Sequence, residues 1–356
     1  MPETFRRVLG YALNVFPYRT LPEVWACLSG DVLRLKTLAF PDEPFPIELR
    51  VSESLLRELR DVSALKIFLD DHDLALVTIN AFAMSAFHGE RVKERVYLPA
   101  WHESDARLRF TNACLDLLCE LGNNLQNSIL SVSVPFGALK PVPMDAVAPN
   151  IICCAEHAAA LPRRCLVALE PEPGLCVETT REVVEFFERF VPQDLRPYLG
   201  VNIDLAHQLV QFENLAESVA RLQSHDILIA KVHVSNAVEM TEWRPFCADS
   251  IYLHQVCGVD AHGRKCYFSL DMPDAPPPED VRKFRVHYHL PVVPPGDGST
   301  LAEVEHFLSS ILPALPACTP AFIETYTQRE RVVENAAREL AWVREKIFLS
   351  AGAARV

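Results

Sequence analysis

Four short apolar runs in this chain each finish on a residue that binds metal ions well, and their order limits the folds open to it. The runs are Leu166-Val167-Ala168-Leu169-Glu170, Val201-Asn202-Ile203-Asp204 with His207 three residues on, Ile229-Ala230-Lys231-Val232-His233, and Phe322-Ile323-Glu324. Strands of a parallel sheet are buried on both faces and read as continuous apolar stretches. When such strands close into a barrel, the residues at their C-terminal ends share one active face. Two glutamates, an aspartate and a histidine meeting there make a hard, oxygen-rich site for one divalent cation.

The rest of the chain supplies the alternation that a barrel needs. Strand-like runs at 8–16, 46–51, 74–80 and 129–134 precede the four above, and helical stretches such as 105–121, 145–161 and 183–190 lie between strands. Helix starts are marked by Thr20-Leu21-Pro22-Glu23, by Ser52, by the Thr179-x-x-Glu182 capping box and by Asn214-x-x-Glu217. Alternating βα units predict a parallel sheet covered by helices, and eight units close a (β/α)8 TIM barrel. Nine strand candidates are present, so one is extra. Regularity breaks after the seventh: 252–258 and 265–270 predict a β-hairpin, and a proline-rich linker at 273–278 leads to a strand-like run at 284–293. That run is assigned as the extra strand, inside an insertion over about 238–295 that lengthens an ordinary βα connection. Helices at 301–312 and 329–349 complete a single expected domain over 1–356.

Composition narrows the functional classes. At 49% hydrophobic and 23% charged, the chain has ample core material. A formal charge of −13 argues against broad nucleic-acid binding, which needs clustered Lys and Arg. Eleven cysteines without a C-x-x-C pair support neither a zinc ribbon nor a thioredoxin-like site, and are expected to be reduced. No run reaches the 18 or so apolar residues of a membrane span, and the first residues lack a signal-peptide apolar core. A cytoplasmic protein with a small-molecule partner is expected.

Around the four strand ends lie further candidates. Lys231 shares a strand face with His233 by alternation, so both face the barrel interior or both face the helices. Glu172 is either a second carboxylate at the site or a loop residue. The segment His88-Gly89-Glu90-Arg91-Val92-Lys93 follows the third strand, where it is either a solvated loop or a set of donors for an anionic or polyhydroxylated ligand. His287 and His289 share a face and are ligands, substrate donors or buried polar residues. Tyr252 and His254 belong to a hairpin placed to cover the barrel mouth.

The ordered ligands resemble those of the xylose-isomerase-like TIM barrels, in which Glu, Asp, His and Glu come from strands five to eight and Asp-x-x-His recurs at strand six. Glu170, Asp204, His233 and Glu324 match in order, with His207 as the accompanying histidine. Intervals of 34 and 29 residues between the first three suit single βα units, whereas the 91 residues before Glu324 depart from the pattern. The rival is that the strand carrying His287 and His289 closes the barrel. Longer strings resemble the EboE-type metabolite traffic family within that superfamily. They are Gly10-Tyr11-Ala12-Leu13-Asn14-Val15, Thr78-Ile79-Asn80-Ala81-Phe82, Phe87 to Tyr97, Leu169 to Gly174, Tyr252 to Val256, Arg285 to Val292 and Glu324-Thr325-Tyr326-Thr327. Phe16 stands where that family tends to carry histidine.

The resemblance implies metal-dependent isomerisation or epimerisation of a small hydroxy-carbonyl metabolite. Glu170, Asp204, His233 and Glu324 would hold Mn, Mg, Co or Zn, with Glu170 and Glu324 also moving the proton. His88, Arg91, Lys93, His207, Lys231, His254, His287 and His289 would bind substrate. Two alternatives stay open: a non-catalytic metabolite-binding or delivery protein, and a metal-dependent phosphoesterase of the endonuclease IV type.

Overall fold

The computed structural model describes residues 7–59, 61–85, 88, 91–243, 251–273, 275–293, 298–326 and 329–353. Residues 1–6, Phe87, Gly89, Glu90, 244–250, Asp274 and Thr327, which enter the sequence reading, lie outside them. The strands in chain order are β1 (Leu9–Ala12), β2 (Phe45–Arg50), β3 (Leu74–Asn80), β4 (Ser131–Pro135), β5 (Leu166–Glu170), β6 (Leu199–Asp204) and β7 (Leu228–Val234). They continue with β8 (Val238–Met240), β9 (Val256–Val259), β10 (Lys265–Ser269), β11 (Lys283–Val286) and β12 (Ala321–Ile323). Eight of them, all parallel, close a barrel in the order β1-β12-β7-β6-β5-β4-β3-β2.

Burial on both faces explains why these strands are mostly apolar: every residue of β2, β3, β4, β5, β6 and β12 is buried. β1 closes the ring between β2 and β12 and carries Gly10 at the seam. A β-carbon there would run into the Pro46 carbonyl oxygen and the Phe322 ring, so close backbone approach requires glycine at this position. The expected helix starts are present. Ser52 accepts from the Leu55 amide, Thr179 and Glu182 form a reciprocal capping box, and Asn214 accepts from the amides of Ala216 and Glu217.

β12 pairs with β7 on one side and β1 on the other, so it is the eighth barrel strand and Glu324 follows its last residue. The rival assignment, in which the His287 segment closes the barrel, is overturned. β11 instead joins β8, β9 and β10 in an antiparallel sheet of order β10-β9-β11-β8. The expected β9–β10 hairpin is there, but the insertion is larger than a hairpin, because the short β8 has no periodicity that stands out in sequence. Arg285 ties this sheet to the barrel: its guanidinium donates to Glu239 at 2.8 Å, to the Leu209 carbonyl at 2.9 Å and to Glu303 at 2.5 Å. None of the described cysteines is paired, and no described helix is long and apolar enough to cross a membrane.

The terminal helix (Val332–Ala353) contributes a buried carboxyl, Glu339, beneath the barrel closure. One oxygen accepts from the Val292 amide at 2.9 Å, and the other meets the hydroxyls of Tyr11 at 3.0 Å and Thr325 at 2.8 Å. Burial pushes its pKa up to about 7, against hydrogen bonds that pull it down. The folded chain thus holds a proton that the unfolded chain has released, so stability falls as pH rises from the ordinary carboxylate value toward 7. A shift of this size corresponds to about 3 kcal/mol. Glu339→Gln, which keeps an acceptor for Val292 and donors for the two hydroxyls, is expected to flatten that slope and to raise stability at pH 8. Urea unfolding of both proteins between pH 5.5 and pH 8 checks this, and parallel profiles would contradict it.

Candidate metal centre

The C-terminal ends of β5, β6, β7 and β12 bring Glu170, Asp204, His233 and Glu324 together, all buried, with one ligand atom of each within 4.8 Å of the others. This is the convergence expected from the order of residues in the chain, because neighbouring strands in register place their last residues side by side; Asp204 pairs directly with His233. The His233 Nδ1 atom lies 2.6 Å from a Glu324 oxygen, 3.4 Å from Glu170 Oε1 and 3.7 Å from Asp204 Oδ2.

The donor atoms fit a divalent cation. Asp204 Oδ1 is saturated by the His207 amide at 3.0 Å and the Ser235 hydroxyl at 2.8 Å, whereas Oδ2 has no hydrogen-bond partner. Glu170 Oε2 is equally without a partner. Buried carboxylate oxygens in that state are costly unless a cation balances them. Burial alone would lower the pKa of His233, but Glu324, Glu48 and Glu170 outweigh it and raise the value well above normal. Glu324 is the complement: burial would raise its carboxyl, and contact with His233 chiefly holds it well below the carboxylate range. The proton shared between His233 Nδ1 and Glu324 occupies the place a metal ion would take, and metal binding would release it.

Beneath this group lies a feature that the sequence reading missed. Glu48, fully buried at the middle of β2, meets the other nitrogen of His233 with its oxygens 3.0 and 3.1 Å from Nε2, and pairs with Lys231. A carboxylate holding the far nitrogen of a ligating histidine fixes the ring and its tautomer. Its signal was visible: a glutamate within the apolar stretch Phe45-Pro46-Ile47-Glu48-Leu49 needs a buried partner. Lys231 faces the barrel interior as alternation allowed, but its ammonium is spent on Glu48, on Ser133 at 2.9 Å and on Thr78 at 3.3 Å. It does not line the cavity, so the expectation of substrate contact gives way to support from below.

Above the four ligands is a cavity of about 310 Å³ lined by residues of the barrel and of the insertion. His88, Lys93, His207, His254, His287 and His289 all line it, as expected. His88 bridges Tyr252 at 2.8 Å and the Asn14 carbonyl at 2.6 Å, and buried Lys93 is ion-paired with Asp271 at 2.5 Å. Arg91 is exposed and is not part of the wall, because its side chain turns outward where Val92 and Lys93 turn in. Asn14, Arg50, Tyr97 and Tyr326 are further wall residues; Asn14, Tyr97 and Tyr326 lie in the longer strings noted above, but none of the four was expected at the site. Glu172 joins the site rather than the solvent: one oxygen accepts from the Gln255 amide at 2.8 Å and the other has no partner, while burial raises its pKa.

The insertion delivers His287 and His289. The His287 amide bonds to the Gln255 carbonyl at 2.8 Å, and the Tyr326 amide bonds to the His289 carbonyl at 2.9 Å, which clamps this segment between β9 and the end of β12. Their Nε2 atoms are 2.9 Å apart, and His207 Nε2 is 3.1 Å from that of His287. Burial, then the neighbouring imidazoles, push His287 well below the ordinary histidine value.

No family model matches the chain, and no curated protein matches it. Solved structures do. A xylose isomerase domain protein from Planctomyces limnophilus superposes with a TM-score of 0.58 at 15% identity, covering 98% of this chain and 100% of its own. A xylose isomerase-like TIM barrel protein from Mycobacterium smegmatis, in complex with magnesium, gives 0.55 at 15%, covering 97% of each. D-allulose 3-epimerase from Methylomonas sp., in complex with D-allulose, gives 0.54 at 14%, covering 96% of this chain and 98% of its own. At these identities the likeness is one of fold, and the chain has the closed parallel barrel of the xylose isomerase-like TIM barrels, with an added antiparallel sheet.

Proposed function

We propose that this barrel is a metal-dependent isomerase or epimerase of a small hydroxy-carbonyl metabolite. The observation that carries the reading is the meeting of Glu170, Asp204, His233 and Glu324 beneath a cavity that Glu170 and Glu324 line and that hydrogen-bonding side chains wall. Those four would hold the ion, and carboxylate dominance favours Mn or Mg among Mn, Mg, Co and Zn. When bound, a divalent cation there supplies a positive charge that polarises a carbonyl and makes the adjacent carbon more acidic.

The chain's own groups do the rest. Glu170, with one oxygen free of partners, takes the proton from the carbon beside the carbonyl, and Glu324 returns one. His88 and His254, with Lys93, orient hydroxyl groups, and His207, His287 and His289 face the same cavity. The insertion, which brings Tyr252 and His254 over the cavity, keeps water from the exposed carbanion. The similarity in fold to an epimerase that binds D-allulose supports the reaction class. The EboE-like strings link this reading to the handling of a small metabolite.

The test is deuterium uptake from D2O into a panel of ketoses, aldoses and their phosphates by metal-loaded protein. Exchange at the carbon next to the carbonyl is expected, falling by about 10²- to 10⁴-fold in Glu324→Gln, the usual contribution of a general acid or base. No exchange across the panel would overturn the catalytic reading and favour carriage of the metabolite without turnover.

A further inference from the structure

We propose that His207, His287 and His289 form a second divalent-cation site, beside the carboxylate centre and distinct from it. The argument rests on which nitrogen of each ring carries its proton. His207 Nδ1 is 3.1 Å from the Pro171 carbonyl oxygen, His289 Nδ1 is 3.0 Å from the Glu324 carbonyl oxygen, and His287 Nδ1 is 2.6 Å from the Gln255 side-chain oxygen. The first two partners can only accept. Gln255 is fixed the same way round, because its amide nitrogen, with two protons to give, faces Glu172 at 2.8 Å and the Pro173 carbonyl at 3.2 Å, which can only accept, and the Tyr97 hydroxyl at 2.8 Å. All three Nδ1 atoms are therefore N–H donors, so each ring in its neutral form carries its lone pair on Nε2.

Those lone pairs point at one another. The His207–His287 and His287–His289 Nε2 separations are 3.1 and 2.9 Å, and one ligand nitrogen of each ring lies within 4.8 Å of the others. Neutral imidazoles cannot hydrogen-bond in this arrangement. Relieving both contacts with protons needs two extra charges on touching rings that are shielded from water, whereas one dication satisfies three lone pairs at once. The spacing fits: metal–imidazole bonds of about 2.0–2.1 Å at tetrahedral angles put nitrogens about 3.3 Å apart. A carbonyl or amide oxygen on the far nitrogen of every ring is also the usual setting of a ligating histidine.

The three rings come from two places in the fold. His207 belongs to the helix after β6, while His287 and His289 come from the insertion, so the site exists only when the insertion's sheet is docked. All three line the cavity, which leaves a fourth position facing a ligand. All-imidazole donors suit Zn, Co, Ni or Cu better than Mg or Mn, the reverse of the carboxylate centre. The site does not depend on the isomerase reading and stands or falls separately.

Metal content after chelator stripping and reloading decides the matter, measured on wild type, His287→Gln, His289→Gln and Glu324→Gln. Wild type reloaded with Co2+ or Zn2+ is expected to hold about two equivalents, and each histidine variant about one. Wild type reloaded with Mn2+ alone should hold about one, at the carboxylates. The visible absorption of the Co2+ form should change in the histidine variants, and thermal melts of the metal-free proteins show that each variant is folded. Retention of the full wild-type content of Co2+ and Zn2+ by both folded histidine variants would overturn the second site. A single equivalent that the histidine variants lose and Glu324→Gln keeps would support it and remove the carboxylate centre instead.

Discussion

Lys231→Met is expected to destabilise the protein by about 3–5 kcal/mol, the loss seen when one partner of a buried ion pair is removed. Lys231 and Glu48 are both fully buried in the barrel interior. Burial by itself raises the Glu48 carboxyl, and the charges of Lys231 and His233 lower it overall. Without the ammonium, Glu48 keeps only His233 and Asn80, the latter donating at 3.2 Å. The Ser133 and Thr78 hydroxyls lose the ammonium as a partner as well. Adding Glu48→Gln to Lys231→Met removes the stranded charge and should recover at least half of the loss. Urea unfolding of the single and double variants measures this. A single variant within 1 kcal/mol of wild type would mean that the interior pair is not ionised.

The second large effect concerns the centre itself. Glu170→Gln keeps the shape of the side chain and removes one of the three carboxylate charges around His233 Nδ1. The loss of a charged ligand is expected to weaken Mn2+ binding by more than the 10- to 100-fold typical of an outer-shell change. Isothermal titration of stripped protein gives the affinity directly. The proton between His233 and Glu324 adds a second readout: metal binding should release it, so the measured heat should vary with the ionisation enthalpy of the buffer. Affinity in Glu170→Gln equal to that of wild type would place the ion elsewhere.

The barrel and its four ligands were legible for one physical reason. A strand buried on both faces places a carboxylate or imidazole most easily where it ends, so the strand boundary and the ligand nearly coincide in sequence at Glu170, Asp204 and His233. Glu324 was harder, since the long insertion hides which strand closes the ring; the pairing of β12 with both β1 and β7 answers it. Glu48 escaped because it lies in the middle of a strand, where its partners Lys231 and His233 are more than 180 residues away. Arg91 was misplaced because a charged loop shows no periodicity to tell inward from outward residues. The lone pairs of His207, His287 and His289 depend on an antiparallel sheet folding back over the barrel mouth, and spacing along the chain carries no trace of that contact.

The central claim is that side chains distant in sequence share one cation. Anomalous diffraction from crystals grown with Mn2+, recorded on both sides of the manganese absorption edge, tests it most directly. The account predicts an edge-dependent peak bounded by Glu170, Asp204, Glu324 and the Nδ1 atom of His233, at roughly 2.0–2.3 Å from each. A fully loaded crystal with no peak among those four residues would contradict it.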